Sequence, residues 1–237
     1  GITFPINVYP LFENAIRGYK NHSIDKHLKY LGKMFEPFTK VASENKNAWF
    51  PIYRSAEEIS TPNEKNRFIG FPYTKYMNAI MEVDQSASLI IMSEKKANEY
   101  SVPKSKRIYL HGCADINEVW NITERPELFR SSAIRLMGEK AFSMANWNVD
   151  EIDYFDLYSC FPSMVELGRE ALDISSNISS PLTVTGGLPF FGGPGNNYVT
   201  HSIATMMEKL RNNQNSKGLC TSNAVSYTHL TLPTTGV

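Results

Sequence analysis

An α/β layered fold is predicted for this 237-residue chain on three observations. Runs with helical spacing of apolar residues alternate with strand-like runs along the whole chain. A glycine-rich loop, Gly186 to Asn197, joins a predicted strand to a predicted helix. Hydrophobic residues make up 42% and aromatics 12%, enough for the core of one large domain or two smaller ones.

The elements follow in order. Phe12 to Lys20 and Ile24 to Asn45 read as helices. In the second, Leu28, Leu31, Phe35, Phe38, Val41 and Ala42 recur at helical spacing. Ser23 is placed to cap it, with Asp25 in its first turn. Glu57 to Pro72 is polar and punctuated by prolines, and reads as irregular. Val83 to Met92 reads as a strand, Ser93 to Tyr100 as a short helix and Arg107 to Gly112 as a strand. Beyond Arg130, Ser131 to Ala145 reads as a helix. Asp150 to Tyr158 reads as a strand, with Ile152, Tyr154 and Asp156 on one side and Phe155 and Leu157 on the other. Pro162 to Leu172 is a helix with proline where a missing N–H costs little. Leu182 to Thr185 is a short strand before the glycine-rich loop, Tyr198 to Asn212 a helix, and Gly218 to Thr221 the start of a last strand.

Composition narrows the function. Lys plus Arg and Asp plus Glu each number 24, so the net charge is zero. That leaves no broad basic surface for nucleic acid and no polybasic membrane anchor. No stretch is long and apolar enough to span a bilayer. Three cysteines and no visible signal peptide point to free thiols in a reducing, cytoplasmic compartment.

The glycine-rich loop has five glycines and two prolines and opens into a helix N-terminus. Gly192, Gly193 and Gly195 let a ligand approach the backbone closely. The helix opening at Asn196 and Asn197 can donate hydrogen bonds to a phosphate or an oxyanion. A tight structural turn is the competing reading. Cys160 falls where a strand meets a helix, a place where the dipole favours a thiolate. It is a nucleophile or a small buried hydrophobe. His201 lies one turn into the helix after the loop and is a candidate base. His111 and Cys113 share a strand face, but no second pair matches them, so no metal site is expected. His22 and His27 read as solvated.

The tail from Ala224 resembles the conceptual translation of a transposon-end sequencing adapter. The codons GTC TCT TAT ACA CAT CTG ACG CTG CCG ACG read as Val225 to Thr234. Residues 224–237 are therefore expected to be non-native and carry no weight in the fold or site, His229 included.

Four segments together resemble the thiolase superfamily. Gly186-Gly-Leu-Pro-Phe-Phe-Gly-Gly-Pro194 is similar to the loop that ends in Gly-His-Pro. Tyr158-Ser-Cys-Phe161 is similar to Asn-Glu-Ala-Phe, or to the His-Asp-Cys-Phe of sterol-carrier-protein-type thiolases. Gly218-Leu-Cys-Thr-Ser-Asn223 is similar to the strand leading into Cys-x-Gly, and Val83 to Leu89 to the segment closing the first half of the fold. The resemblance covers Gly1 to Asn223 and points to the acetyl-CoA acetyltransferase group.

It implies a thiolase-like αβαβα fold present in part. Residues 1–125 would hold the coenzyme A-binding loop region and the end of the first half, and 126–223 the second half. It also implies a homodimer when complete, a coenzyme A thioester as substrate, and no permanently bound cofactor. The family's nucleophilic cysteine would lie upstream of Gly1, leaving this stretch inactive alone. Here Gly193 stands for the activating histidine, Asn223 for the second cysteine, and Tyr158 for the Asn or His of the second motif. The first expectation is an acyl-CoA-dependent acyltransferase with altered acid/base residues, drawing on His201, Cys160, Tyr158, Asn196 and Asn197. The alternative is a non-catalytic acyl-CoA or lipid binder.

Overall fold

A computed structural model describes residues 4–178, 180–224 and 227–234. Two long helices open the chain, α1 (Pro5–Tyr19) and α2 (Ile24–Glu44). Ser23 caps α2 as expected, its hydroxyl accepting from the Lys26 amide. Leu31, Phe35, Phe38 and Ala42 form the buried stripe of α2. A short helix α3 (Ala56–Ser60), closed by a Ser55/Glu58 capping box, and a ribbon of β1 (Phe68–Gly70) and β2 (Tyr73–Thr74) follow.

The main sheet has the order β3-β6-β5-β4. Its strands are β3 (Tyr109–Asn117), β4 (Tyr154–Asp156), β5 (Gly218–Ala224) and β6 (Tyr227–Thr234). β4 and β5 run parallel, and β6 is antiparallel to both β5 and β3. α4 (Glu94–Glu99) precedes β3. α5 (Ser132–Ala145), α6 (Pro162–Ala171) and α7 (Tyr198–Asn212) complete the helices. One apolar core joins α1, α2, α5 and α6 to β4 and β5, with Phe35, Phe155, Val165 and Leu219 fully buried.

Several expectations change, among them Glu57 to Pro72, which holds most of α3 and all of β1, and Asp150 to Tyr158, which is a strand only over Tyr154–Asp156. Val83 to Met92 forms no strand. Its backbone finds no ladder partner among the described residues, and Ile90 and Ile91 stand 83% and 91% exposed. Leu182 to Thr185 is not a strand either. Leu182 accepts one bond from the Leu157 amide, and the next amides turn to the Asp156 carboxylate instead. Residues 227–234, set aside as tail, run as β6 between β3 and β5. No helix is long and apolar enough to cross a membrane among the described residues.

Candidate functional site

Asp156, at the end of β4, organises the region. Its fully buried carboxylate accepts hydrogen bonds from the Val184 and Thr185 amides and from the Thr183, Thr185, Tyr198 and Ser202 hydroxyls. One side chain thereby fixes the entry to the glycine-rich loop and the first turns of α7. A buried carboxylate is stable only when satisfied in this way.

The loop then folds back on the core. Gly186 has φ +112° and packs on α2, where a Cβ would meet Ala42. Gly192 has φ +119°, and a Cβ there would run into the Gln85 side chain. These positions need glycine for backbone reasons. The Gly193 amide donates to the Ile80 carbonyl at 2.8 Å, and the Gly195 amide to the Gly193 carbonyl at 2.7 Å. Asn197 spends its side chain on both main-chain groups of Ala87, at 2.8 and 3.1 Å. Asn196 and Gly195 are exposed. Of the oxyanion donors expected at Gly192, Gly193, Asn196 and Asn197, and the ligand contacts expected at Gly192, Gly193 and Gly195, the Gly193, Gly195 and Asn197 groups thus have protein partners. The Gly193 amide and the Asn197 side chain tie the loop to residues 80–87, and the Gly195 amide closes a turn within the loop.

Cys160 sits at the start of α6, but its environment reverses the expected effect of the dipole. Burial pushes its thiol up to about 12, outweighing the Tyr9 hydroxyl and nearby amides that act the other way. A thiol in that state is not a nucleophile at neutral pH. Tyr9, on α1, interacts with this thiol, stacks on Phe161 at 4.4 Å, and accepts from Asn223 Nδ2 at 3.0 Å. Burial raises the Tyr9 phenol as well, so it stays protonated. The Tyr158 amide is held by Thr221 on β5, and its ring meets Tyr198 edge-on. Tyr158 and Cys160 also pack on the same Leu188, Phe191 and Tyr198 cluster.

This cluster of neutral polar groups borders a cavity of about 350 Å³. Tyr9, Phe12, Ile134, Met164 and Leu167 supply much of its wall, with Asn223 at one end and Arg125 also lining it. The chemistry on offer is hydrogen-bond donation from Tyr9 and Asn223 into an apolar recess.

His201 is not part of it. It lines a separate hollow with Asp84, Gln85, Ser86, Ser88 and Glu208, and its ring abuts Phe191 at 5.3 Å. Ring contacts run from His201 to Phe191, on to Tyr198 and then to Tyr158. Burial lowers its pKa, leaving it neutral. His201, expected as a base beside the loop, thus meets the loop at Phe191 and faces a different hollow from the one that Tyr9 and Asn223 line. His27, expected to be solvated, is fully buried. The sequence reading missed Tyr9 and Asp156 as site residues. Nothing near Tyr9 marks it, because its partners Cys160 and Asn223 are distant in sequence. Asp156 had a signal: an acid in a strand next to buried aromatics.

No family model matches. Over 120 residues the chain is 25% identical to an acetyl-CoA acetyltransferase of Methanocaldococcus jannaschii, covering 51% of this chain and 29% of that protein. A monomeric SCP2-thiolase-like protein type 1 from Mycobacterium smegmatis aligns at TM-score 0.91 and 35% identity, over 97% of this chain and 51% of that one. The Ltp2-ChsH2(DUF35) aldolase aligns at 0.81 with 16% identity, over 99% of this chain and 64% of that one. The dimeric peroxisomal thiolase of Saccharomyces cerevisiae aligns at 0.63 with 13% identity, over 98% and 62%. The chain thus spans less than two thirds of the length of each of these relatives.

Proposed function

We propose, for a chain with the thiolase fold that resembles SCP2-thiolase-like proteins, that its site binds the acyl thioester of coenzyme A. The observation carrying this is the Tyr9–Asn223 hydrogen bond, beside Cys160, at the edge of an apolar cavity. The cavity wall suits an acyl chain, and the neutral phenol and amide suit a thioester carbonyl. Within this chain the cluster supplies hydrogen-bond donors and no base, since the thiol and phenol are both held neutral. On this reading the residues here recognise the thioester, and any nucleophile comes from elsewhere.

Acyl transfer is the second reading. Its support is the likeness to an acetyl-CoA acetyltransferase, with the same cluster polarising the thioester. Calorimetry and a thiolysis assay on protein from the complete reading frame separate the two. Binding of acetyl- and octanoyl-CoA without turnover supports recognition alone, and turnover supports acyl transfer. Absence of binding to either at millimolar concentration defeats both. The resemblance implies a homodimer, while the similar structures include one monomeric and one dimeric protein. Light scattering on the same preparation decides between them.

A further inference from the structure

We propose that Glu13, His27 and Glu166 form a binding site for one divalent cation, with Zn²⁺ the best match. The three come from α1, α2 and α6 and are all buried. Their candidate ligand atoms lie within 4.8 Å of one another. Two carboxylates and an imidazole make a donor set that Zn²⁺ accepts readily.

The surrounding groups orient the donors. Glu13 Oε1 is 2.6 Å from His27 Nε2, and its Oε2 accepts from the Tyr73 hydroxyl at 2.9 Å. Tyr73 also lies 2.8 Å from Ser163 Oγ. His27 Nδ1 is 3.3 Å from His22 Nδ1, which leaves Nε2 as the nitrogen facing the carboxylates. Such outer partners set ring orientation at metal sites.

Glu166 supplies the independent evidence. It is only 6% exposed, and neither of its carboxylate oxygens accepts a hydrogen bond. Lys20 Nζ forms a loose ion pair with it at 3.8 Å, beyond hydrogen-bond reach, and the Tyr30 hydroxyl also interacts with it from outside hydrogen-bond geometry. Buried carboxylate oxygens are almost always bonded, so two open ones aimed into a cluster mark a position for something else. Burial raises both carboxyls to about 8, so in the metal-free protein they are largely protonated, and a cation would bind by displacing those protons. Bonds of about 2.0–2.2 Å in a tetrahedral site put ligand atoms roughly 3.4 Å apart, so the 2.6 Å Glu13–His27 contact must open and the wider spacings, up to 4.8 Å, must close, with side-chain shifts of about 1 Å. On binding, His27 coordinates through neutral Nε2, and the proton it shares with Glu13 leaves to the solvent. The site would then clamp α6, which follows Cys160, to α1, which carries Tyr9.

The inference does not depend on the thioester reading. The test uses chelator-stripped protein from the complete reading frame, titrated with Zn²⁺ by calorimetry in two buffers of different ionisation heat. The expected result is one cation per chain, proton release seen as a buffer-dependent heat, and a higher Tm. Glu166→Gln, close in shape to the neutral acid, should stay folded by circular dichroism and bind at least about tenfold more weakly. No stoichiometric binding, or equal affinity in Glu166→Gln, overturns the proposal. Should that variant fail to fold, the Co²⁺ form of the unaltered protein decides. Visible bands of nitrogen and oxygen ligation support the site. A thiolate charge-transfer band, as exposed Cys113 would give, or no band at all, overturns it.

Discussion

Replacing Asp156 with alanine would remove the acceptor shared by the glycine-rich loop and α7. Six donors converge on its two oxygens, at 2.6 to 3.2 Å. The four hydroxyls can rotate toward one another, as Thr185 and Tyr198 already pair at 2.8 Å. The Val184 and Thr185 amides cannot rotate. Each buried unsatisfied amide costs about 1–3 kcal/mol, so Asp156→Ala should lose about 2–6 kcal/mol. Asp156→Asn keeps an acceptor for those amides, and the Tyr198 and Ser202 hydroxyls can turn to accept from its NH₂. Its loss should be smaller, about 1–3 kcal/mol, from weaker neutral hydrogen bonds. Urea unfolding measures both, with unchanged slope confirming that only stability moved. A loss under about 1 kcal/mol for alanine, or asparagine worse than alanine, would refute the assignment of Asp156 as the anchor of the loop.

Cys160 should alkylate far more slowly than exposed Cys113 at pH 8, because a thiol pushed up to about 12 is ionised in only about one molecule in ten thousand there. Its labelling should climb about tenfold per pH unit, and mass spectrometry after timed iodoacetamide treatment reads both. Gly192→Ala should destabilise by more than about 1 kcal/mol, since φ +119° and the Gln85 side chain both oppose a Cβ; a thermal melt unchanged from the parent would contradict that. Tyr9→Phe should weaken acyl-CoA binding about tenfold by removing one hydrogen bond. His201→Ala, in a different hollow, should leave that affinity unchanged in calorimetry.

Local signals in the sequence were followed closely by the fold. The stripe of α2, the Ser23 cap and the span of α7 rest on spacing and capping chemistry, which a single segment contains in full. Val83 to Met92 has strand composition, yet a strand exists only with a partner, and pairing is not written in the segment itself. Leu182 to Thr185 was drawn out of a ladder by Asp156, a competitor 27 to 29 residues away. The candidate site was legible at Cys160 and Tyr158 through resemblance. Position alone suggested a reactive thiol, while the thiol's ionisation is set by burial under groups such as Tyr9. Likewise the loop glycines read as ligand contacts because their amides were assumed open. Only the fold reveals that Gly193 and Gly195 have carbonyl partners.

The bond between Tyr9 and Asn223 joins residues 214 apart in sequence. At a ribosomal rate of about 5–20 residues per second, Tyr9 waits roughly 10 to 40 s for its partner to be made. α1 and α2 can pair early, but the recess beside Cys160 stays unfinished until β5 arrives. During that interval the aromatic face of Tyr9 and Phe12 is open to wrong partners, so the nascent chain is most exposed to chaperone capture between the synthesis of α1 and that of β5.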